Sequence, residues 1–199
     1  MTSPLAPRPS GRSAQRRLRI AIDMDEVIAD SLGKHLRAYN RAFGANLSVH
    51  ELEGRDLDQA VPPAHAAGVR QLELEPTFFA DLDVIAGSQE VVAALAAEYE
   101  VFIATAAMEV PTSFAAKFAW LRRHFPFIPP SHIVFCGDKG VLDVDYLIDD
   151  NARHFRNFRG QGVLFTAPHN RGVEGCFRVD GWQDVRRAFL APAAASACG

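Results

Sequence analysis

Two acidic residues, Asp23 and Asp25, follow the apolar run Ile20-Ala21-Ile22 near the start of a chain of 199 residues. Alternate side chains of an extended strand share a face, and ligands of open α/β sheets bind beyond the carboxyl ends of the strands. Clustered carboxylates repel each other unless a cation lies between them, and such hard oxygen ligands suit Mg²⁺. The stretch therefore predicts a metal-assisted catalytic site, whereas either aspartate alone would more simply cap a helix.

Further reactive side chains stand where other predicted strands end: Thr105, Lys139 and the pair Asp149-Asp150. In a doubly wound sheet these ends lie along one edge, so groups far apart in the sequence can meet. Carboxylates with Mg²⁺, an ammonium group and a hydroxyl would hold a phosphate, and a carboxylate could attack it to form an aspartyl-phosphate. The plainer alternatives are a strand-end cap for Thr105, a solvated Lys139 and a turn at Asp149-Asp150.

The hydrophobic pattern predicts an α/β fold in which strands alternate with helices. The predicted strands are residues 19–23, 100–105, 133–135, 146–148 and 162–166, and the clearest helices are residues 31–43, 87–99 and 111–125. Strands separated by helices imply parallel pairing with right-handed crossovers, hence a doubly wound, mainly parallel sheet. Gly44 is expected to end the first helix, and the third is expected to bury Phe114, Phe118 and Leu121 in the core.

Domain boundaries follow from changes in composition. Residues 18–30 and 81–190 are expected to form the core domain, and residues 31–80, which show no strong strand signal, a helical cap inserted after the first strand. Residues 1–17 are rich in Ser, Pro and Arg without acidic residues and are predicted to be a disordered leader, with a transit peptide or a twin-arginine signal as alternatives. Residues 191–199 are predicted to be a disordered tail.

Composition limits the functional classes. The net charge of −3 and a pI near 6.2 argue against a binder of nucleic-acid polymers, and the apolar runs are too short to cross a membrane. The cysteines Cys136, Cys176 and Cys198 lack metal-site spacing and are interpreted as reduced thiols of a cytoplasmic protein.

The remaining basic residues carry no recognisable ligand spacing. Surface or capping roles are expected for His124, His132, His154 and His169. A solvated helix face is expected for Arg153, Arg156 and Arg159.

The order of the motifs resembles a known enzyme family. Besides Asp-Met-Asp-Glu-Val at 23–27, the relevant motifs are Phe-Phe-Ala-Asp-Leu (78–82), Val-Phe-Ile-Ala-Thr (101–105), Lys-Phe-Ala-Trp-Leu (117–121), Gly-Asp-Lys (137–139) and Tyr-Leu-Ile-Asp-Asp (146–150). Over about residues 19–167 they resemble the 5′(3′)-deoxyribonucleotidase family of the haloacid dehalogenase superfamily. The resemblance implies Mg²⁺-dependent removal of phosphate from nucleoside monophosphates.

The resemblance also implies roles for the acidic residues. Asp23 would attack the phosphoryl group and also ligate Mg²⁺. Asp25 would protonate the leaving oxygen and later activate water, with its backbone carbonyl on the metal. Asp150 would be the third protein ligand, and Asp149 would support the same group of ligands.

Thr105 and Lys139 would bind the phosphate by the same resemblance. Family members usually have Gly where Glu26 stands, Ser where Ala106 stands, and an aromatic residue that contacts the substrate where Ser31 stands. Loss of an aromatic stacking surface is worth about 1 kcal/mol, so the preference for base and sugar is left open.

Two other functions remain open besides the nucleotidase. One is a phosphatase acting on another small phosphoester such as a sugar phosphate, and the other is a non-catalytic regulator that binds a nucleotide or phosphate. The intact pair Asp23 and Asp25 favours an enzyme. Phe78, Phe79 and Met108 are candidates for apolar contacts with the substrate, and a homodimer is a further expectation because caps of this superfamily often contribute to dimers.

Overall fold

The computed structural model describes residues 16–52 and 54–190. The predicted leader, apart from Arg16 and Arg17, and the predicted tail lie outside the described residues. Arg16 Nη2 lies 2.8 Å from Asp145 Oδ2, and the Arg17 guanidinium donates to backbone carbonyls at the end of a helix. These two arginines therefore hold the first described residues against the rest of the protein.

Strands and helices alternate along the chain. The strands are β1 (Arg19–Ile22), β2 (Ala29–Asp30), β3 (Asp83–Val84), β4 (Glu100–Thr105), β5 (Ile133–Phe135), β6 (Tyr146–Asp149), β7 (Gln161–Phe165) and β8 (Phe177–Val179). The helices are α1 (Ser31–Phe43), α2 (Leu57–Ala60), α3 (Pro63–Glu73), α4 (Ser88–Glu98), α5 (Phe114–His124) and α6 (Trp182–Leu190). Each strand predicted from the sequence is present within one residue of its expected bounds.

Six of the strands form one parallel sheet in the order β5-β4-β1-β6-β7-β8. This confirms the predicted mainly parallel α/β fold. Strand β1 lies between β4 and β6, with Ile22 paired to Ile103 and to Ile148. The residues that follow these three strands therefore emerge side by side at one edge of the sheet.

The two faces of the sheet pack differently. Alternate residues of β1, β4, β6 and β7, such as Ile22 and Ile103, share one buried cluster with α4, α5 and α6. The opposite face presents Ala21, Ala104 and Leu147 to apolar side chains of the connecting segments. Full burial of one large aliphatic side chain contributes about 1.5–3 kcal/mol, so the helix-covered face carries most of the stabilisation.

Helix α5 corrects one expectation about the core. Its buried residues are Lys117, Trp120 and Leu121, while Phe114 and Phe118 are 36% and 40% exposed. The prediction that both phenylalanines are buried was therefore wrong. The helix face that packs against the interior includes Lys117, and a search for periodic apolar residues does not detect a buried lysine.

The end of the core contains elements that the pattern did not predict. Strand β8 has three residues, and α6 buries Trp182, Val185 and Phe189. Trp182 donates its indole N–H to the carbonyl of Val27 at 2.8 Å, which ties the last helix to the loop after β1.

Helices α1, α2 and α3 share a separate buried cluster that includes Leu36, Tyr39, Leu52 and Val69. Helix α1 occupies its predicted residues and ends at Gly44, whose φ of 62° suits glycine. The antiparallel pair β2 and β3 joins the chain entering and leaving this region. We propose that residues 31–80 form a cap and that this cluster is its hydrophobic core.

Candidate active site

The loop after β1 begins with Asp23 at the edge of the sheet. The Asp23 N–H donates to the carbonyl of Ile148 at 2.9 Å, which continues the pairing with β6. The loop then turns back, because the N–H groups of Ile28 and Ala29 both donate to the carbonyl of Met24 at 2.9 Å. This turn holds the two aspartates at the opening above the sheet.

Lys139 lies fully buried between two carboxylates. Its Nζ is 2.6 Å from Asp23 Oδ1 and 2.5 Å from Asp149 Oδ2. Asp149 Oδ2 is also 2.8 Å from His154 Nδ1, and Asp149 Oδ1 accepts the N–H of Asn151. Asp149 therefore holds the lysine, and the lysine in turn orients Asp23.

Burial and charge shift the pKa values of this cluster. Burial raises the pKa of Asp23 to about 6 against the opposing effect of Lys139. Although burial acts in the opposite direction, Lys139 and His154 together lower the pKa of Asp149. Burial also lowers the affinity of Lys139 for its proton, but the two carboxylates outweigh it and raise the pKa of the lysine. Lys139 and Asp149 are therefore held in their charged forms.

Asp150 completes the acidic group. Its Oδ2 lies 3.3 Å from His169 Nε2, and burial together with the charge of Asp23 raises its pKa well above the usual range. One carboxylate oxygen each of Asp23, Asp149 and Asp150 lies within 4.8 Å of the others. Hard oxygen donors that repel one another at this spacing fit a small divalent cation such as Mg²⁺.

Asp25 lies on the other side of the opening and pairs with Lys117 of α5. The Lys117 Nζ donates to Asp25 Oδ2 and lies 3.3 Å from the hydroxyl of buried Thr105. The same ammonium lies 4.4 Å from the ring centroid of Phe79. The Oδ1 of Asp25 is buried and finds no hydrogen-bond partner among residues 16–52 and 54–190, although the side chain as a whole is 27% exposed.

Glu26 and Ser31, both departures from the family pattern, contact each other. Glu26 has a φ of 57°, in a region that costs a non-glycine residue about 1–2 kcal/mol. Its Oε1 accepts the Ser31 hydroxyl at 2.9 Å and the Leu32 N–H at 2.7 Å, and burial raises its pKa to about 7. The glutamate thus caps the first turn of α1, which offsets part of the strain and links the start of α1 to the loop after β1.

A cavity of about 440 Å³ lies between the acidic group and helices α1 to α3. This volume lies within the range of small-molecule sites. From the core it is lined by Asp23, Asp25, Glu26, Ala106, Glu109, Val110, Lys117, Asp150, Asn151, Arg153, His154 and His169; from residues 31–79 it is lined by Ser31, Leu32, His35, Arg55, Asp56, Leu57, Asp58, Val69, Arg70, Glu73 and Phe79.

The predicted site residues converge, although they do not all face the cavity. Asp23, Asp25 and Asp150 line it. Thr105 and Lys139 are fully buried behind the lining residues, and each contacts an aspartate or lysine of the site. Their direct contact with a phosphate stays a prediction. Of the three candidates for apolar contacts, Phe79 lines the cavity.

Sequence reasoning missed the seven basic residues that line the cavity, which are His35, Arg55, Arg70, Lys117, Arg153, His154 and His169. Lys117 was part of a recognised motif but had no assigned role, and Arg153, His154 and His169 were interpreted as surface or capping residues. Arg153 lines the cavity and pairs with Glu109 at 2.7 Å. Only their position in the sequence could have indicated that Arg153 and His154 belong to the site, because both closely follow the acidic pair at the end of β6.

Comparison with solved structures identifies the class of the fold. A haloacid dehalogenase-type hydrolase from Bacillus subtilis, bound to magnesium, has a TM-score of 0.56 at 12% identity, with 88% of this chain and 100% of that chain covered. A haloacid dehalogenase-like hydrolase from Burkholderia xenovorans has a TM-score of 0.50 at 13% identity, covering 85% and 95%. The fold is therefore that of the haloacid dehalogenase-like hydrolases.

Sequence comparison identifies the family. The profile described as 5′ nucleotidase, deoxy (pyrimidine), cytosolic type C protein matches residues 16–194, and the chain belongs to this family of phosphoric monoester hydrolases. A Staphylococcus epidermidis relative named for 5′(3′)-deoxyribonucleotidase activity is 47% identical over 173 residues, covering 87% of this chain and 96% of its own. The 5′(3′)-deoxyribonucleotidase of Bacillus subtilis is 37% identical over 171 residues, covering 86% and 98%. The predicted family is confirmed.

Proposed function

We propose that this enzyme is a Mg²⁺-dependent phosphatase of 5′- or 3′-deoxyribonucleotides that works through an aspartyl-phosphate on Asp23. The observation that carries the proposal is the convergence of Asp23, Asp25 and Asp150 with Lys117 at one cavity. The nucleotide substrate is supported by the names of the relatives in Staphylococcus and Bacillus.

Asp23 and Asp150 would hold Mg²⁺ with their carboxylates and Asp25 with its backbone carbonyl, while Asp149 supports them through Lys139. The crowded carboxylate oxygens support this assignment, as does the magnesium bound to the Bacillus subtilis hydrolase of similar fold. Bound there, Mg²⁺ would offset the negative charges of the phosphate and of the attacking carboxylate.

In the first step Asp23 forms a bond to phosphorus as the bond from phosphorus to the nucleoside oxygen breaks. Lys139 contacts Asp23 Oδ1, which leaves Oδ2 to attack. The leaving oxygen takes a proton from Asp25, which lines the cavity and whose Oδ2 accepts a hydrogen bond from Lys117. The nucleoside then departs, with the phosphoryl group on Asp23.

In the second step the Asp25 carboxylate takes a proton from a water molecule. The oxygen of that water bonds to phosphorus, the bond between phosphorus and Asp23 breaks, and inorganic phosphate leaves. The Lys117 ammonium beside Asp25 holds the orientation of that carboxylate through both steps. Closure of the residue 31–80 cap would keep other water out until the nucleoside has gone.

Phosphate release from a panel of purified phosphoesters tests the substrate and the metal together. The panel holds deoxyribonucleotides, ribonucleotides, both phosphate positions and several sugar phosphates, each with Mg²⁺ and with chelator. We expect release from deoxynucleoside monophosphates that chelator abolishes and added Mg²⁺ restores.

Release from sugar phosphates alone would keep the phosphatase chemistry and reject the nucleotidase assignment. Phosphate release that chelator does not change would reject the proposed dependence on Mg²⁺. No release from any compound, with Mg²⁺ still bound, would favour the non-catalytic regulator.

Replacement of Lys117 tests the pairing with Asp25. We expect Lys117→Gln to lower kcat/KM by about 10²-fold, because it removes an ammonium group from both the cavity and Asp25. Arg123→Gln, on the exposed part of the same helix, is the matched control and should stay within twofold of the wild type. Equal activity of the two variants would remove Lys117 from the mechanism.

A cytoplasmic location and a homodimer stay proposals. The cytoplasmic location depends on the interpretation of the cysteines as reduced thiols. Among the described residues, Cys136 and Cys176 are free cysteines. None of the described helices is both long and apolar enough to span a bilayer.

A further inference from the structure

The side chain of Asn170 is buried and makes four hydrogen bonds in the turn after β7. Its Nδ2 donates to the backbone carbonyls of Asp150 at 2.7 Å and Phe165 at 2.8 Å. Its Oδ1 accepts from the Ala167 N–H at 3.2 Å and from Arg178 Nη1 at 2.8 Å. An amide offers two donors and two lone pairs, so this set fixes a single orientation of the side chain.

Three of these bonds belong to the turn and its neighbouring strands, and one reaches outside it. The bonds to Phe165, Ala167 and Arg178 join the end of β7 to β8. The bond to Asp150 instead joins this turn to the residue that follows β6. The adjacent His169 contacts the same residue twice, with Nε2 3.2 Å from the Asp150 carbonyl and 3.3 Å from its Oδ2.

We propose that Asn170 is a positioning residue for Asp150. By holding the Asp150 carbonyl it sets the direction in which the Asp150 carboxylate points toward Asp23. The inference rests on the proposed role of Asp150 as a Mg²⁺ ligand. Groups that orient metal ligands typically change metal affinity or activity 10–100-fold when they are removed.

The test measures Mg²⁺ binding directly, by titration calorimetry of the full chain without substrate. We expect Asn170→Ala to raise the dissociation constant for Mg²⁺ about tenfold or more, with kcat at saturating Mg²⁺ reduced much less. Asn170→Ser, which keeps a small polar group in the buried position, gives a second variant if the alanine variant does not fold. Thermal unfolding in chelator records the structural effect of each change.

Thr166→Val is the matched control. Thr166 accepts from the same Arg178 at 3.1 Å and donates to Asp180 at 2.7 Å, so its loss disturbs this network without a contact to Asp150. Its Mg²⁺ affinity should stay within twofold of the wild type. Equal Mg²⁺ affinity of the Asn170 variants and the wild type, or equal losses in the Asn170 variants and the control, would overturn the positioning role.

Asp150→Asn separates this inference from the proposed function. Unchanged Mg²⁺ binding in that variant would reject Asp150 as a ligand and overturn the inference with it. Weakened binding in Asp150→Asn together with unchanged binding in the Asn170 variants would overturn the inference alone.

Discussion

Replacing Asp23 with Asn is expected to lower phosphate release by about three orders of magnitude or more, because it removes the proposed nucleophile. The two side chains have nearly the same shape, and Lys139 can still donate to the remaining carbonyl oxygen at the position of Oδ1. The amide nitrogen, however, has no electron pair available to attack phosphorus. The loss should therefore appear in kcat, while the substrate still binds.

Steady-state phosphate release and thermal unfolding should be measured on the same preparations. The unfolding temperature should not fall, because the neutral amide relieves the crowding of Asp23, Asp149 and Asp150. Asp81→Asn, at the exposed pair with Lys34, is the matched control and should retain full activity. A variant of Asp23 that keeps more than a tenth of the wild-type rate would contradict an aspartyl-phosphate at this residue.

The residues that meet at the carboxyl edge of the sheet could be predicted from the sequence, because neighbouring parallel strands end at the same edge. Asp23, Thr105 and Asp149 follow or end apolar runs, so identifying the strands was enough to bring these residues near one another. Lys139 was predicted on the same argument, but its burial between two aspartates was not, since a lysine in a loop is usually solvated.

The basic side chains that complete the site lie far in the sequence from the aspartates they contact. No local sequence pattern indicates such contacts. Lys117 meets Asp25 across 92 positions of sequence, on a helix face whose apolar periodicity it interrupts. His169 reaches Asp150 from a turn whose position depends on β8, a strand of three residues. Short edge strands and pairs of distant polar residues give weak sequence signals, because their stability derives from tertiary packing.

The contact between Glu26 and Ser31 illustrates a similar limit. Each residue was recognisable separately as a departure from the family pattern, which left the preference for base and sugar open. The structure brings the two departures together as one hydrogen-bonded pair at the start of α1. A change at one of these positions is therefore expected to depend on the other, as is usual for residues in direct contact.

Lys139→Gln is expected to cost about 3–5 kcal/mol in the free energy of unfolding when Mg²⁺ is removed by chelator. The lysine is fully buried between Asp23 and Asp149, and a neutral side chain would leave these two carboxylates without their shared counter-charge. Breaking a buried pair by removing one partner is costly because the remaining charge stays desolvated.

Denaturant unfolding in chelator measures this loss, and Lys34→Gln is the matched control. Lys34 pairs with an Asp81 side chain that is 76% exposed, so its loss should cost no more than about 1 kcal/mol. Added Mg²⁺ should stabilise Lys139→Gln more than the wild type, since a bound cation would supply the charge that the lysine no longer provides. A loss in chelator no larger than that of the control would mean that Asp23 and Asp149 do not depend on the lysine charge, and the electrostatic basis of the proposed site would have to be abandoned.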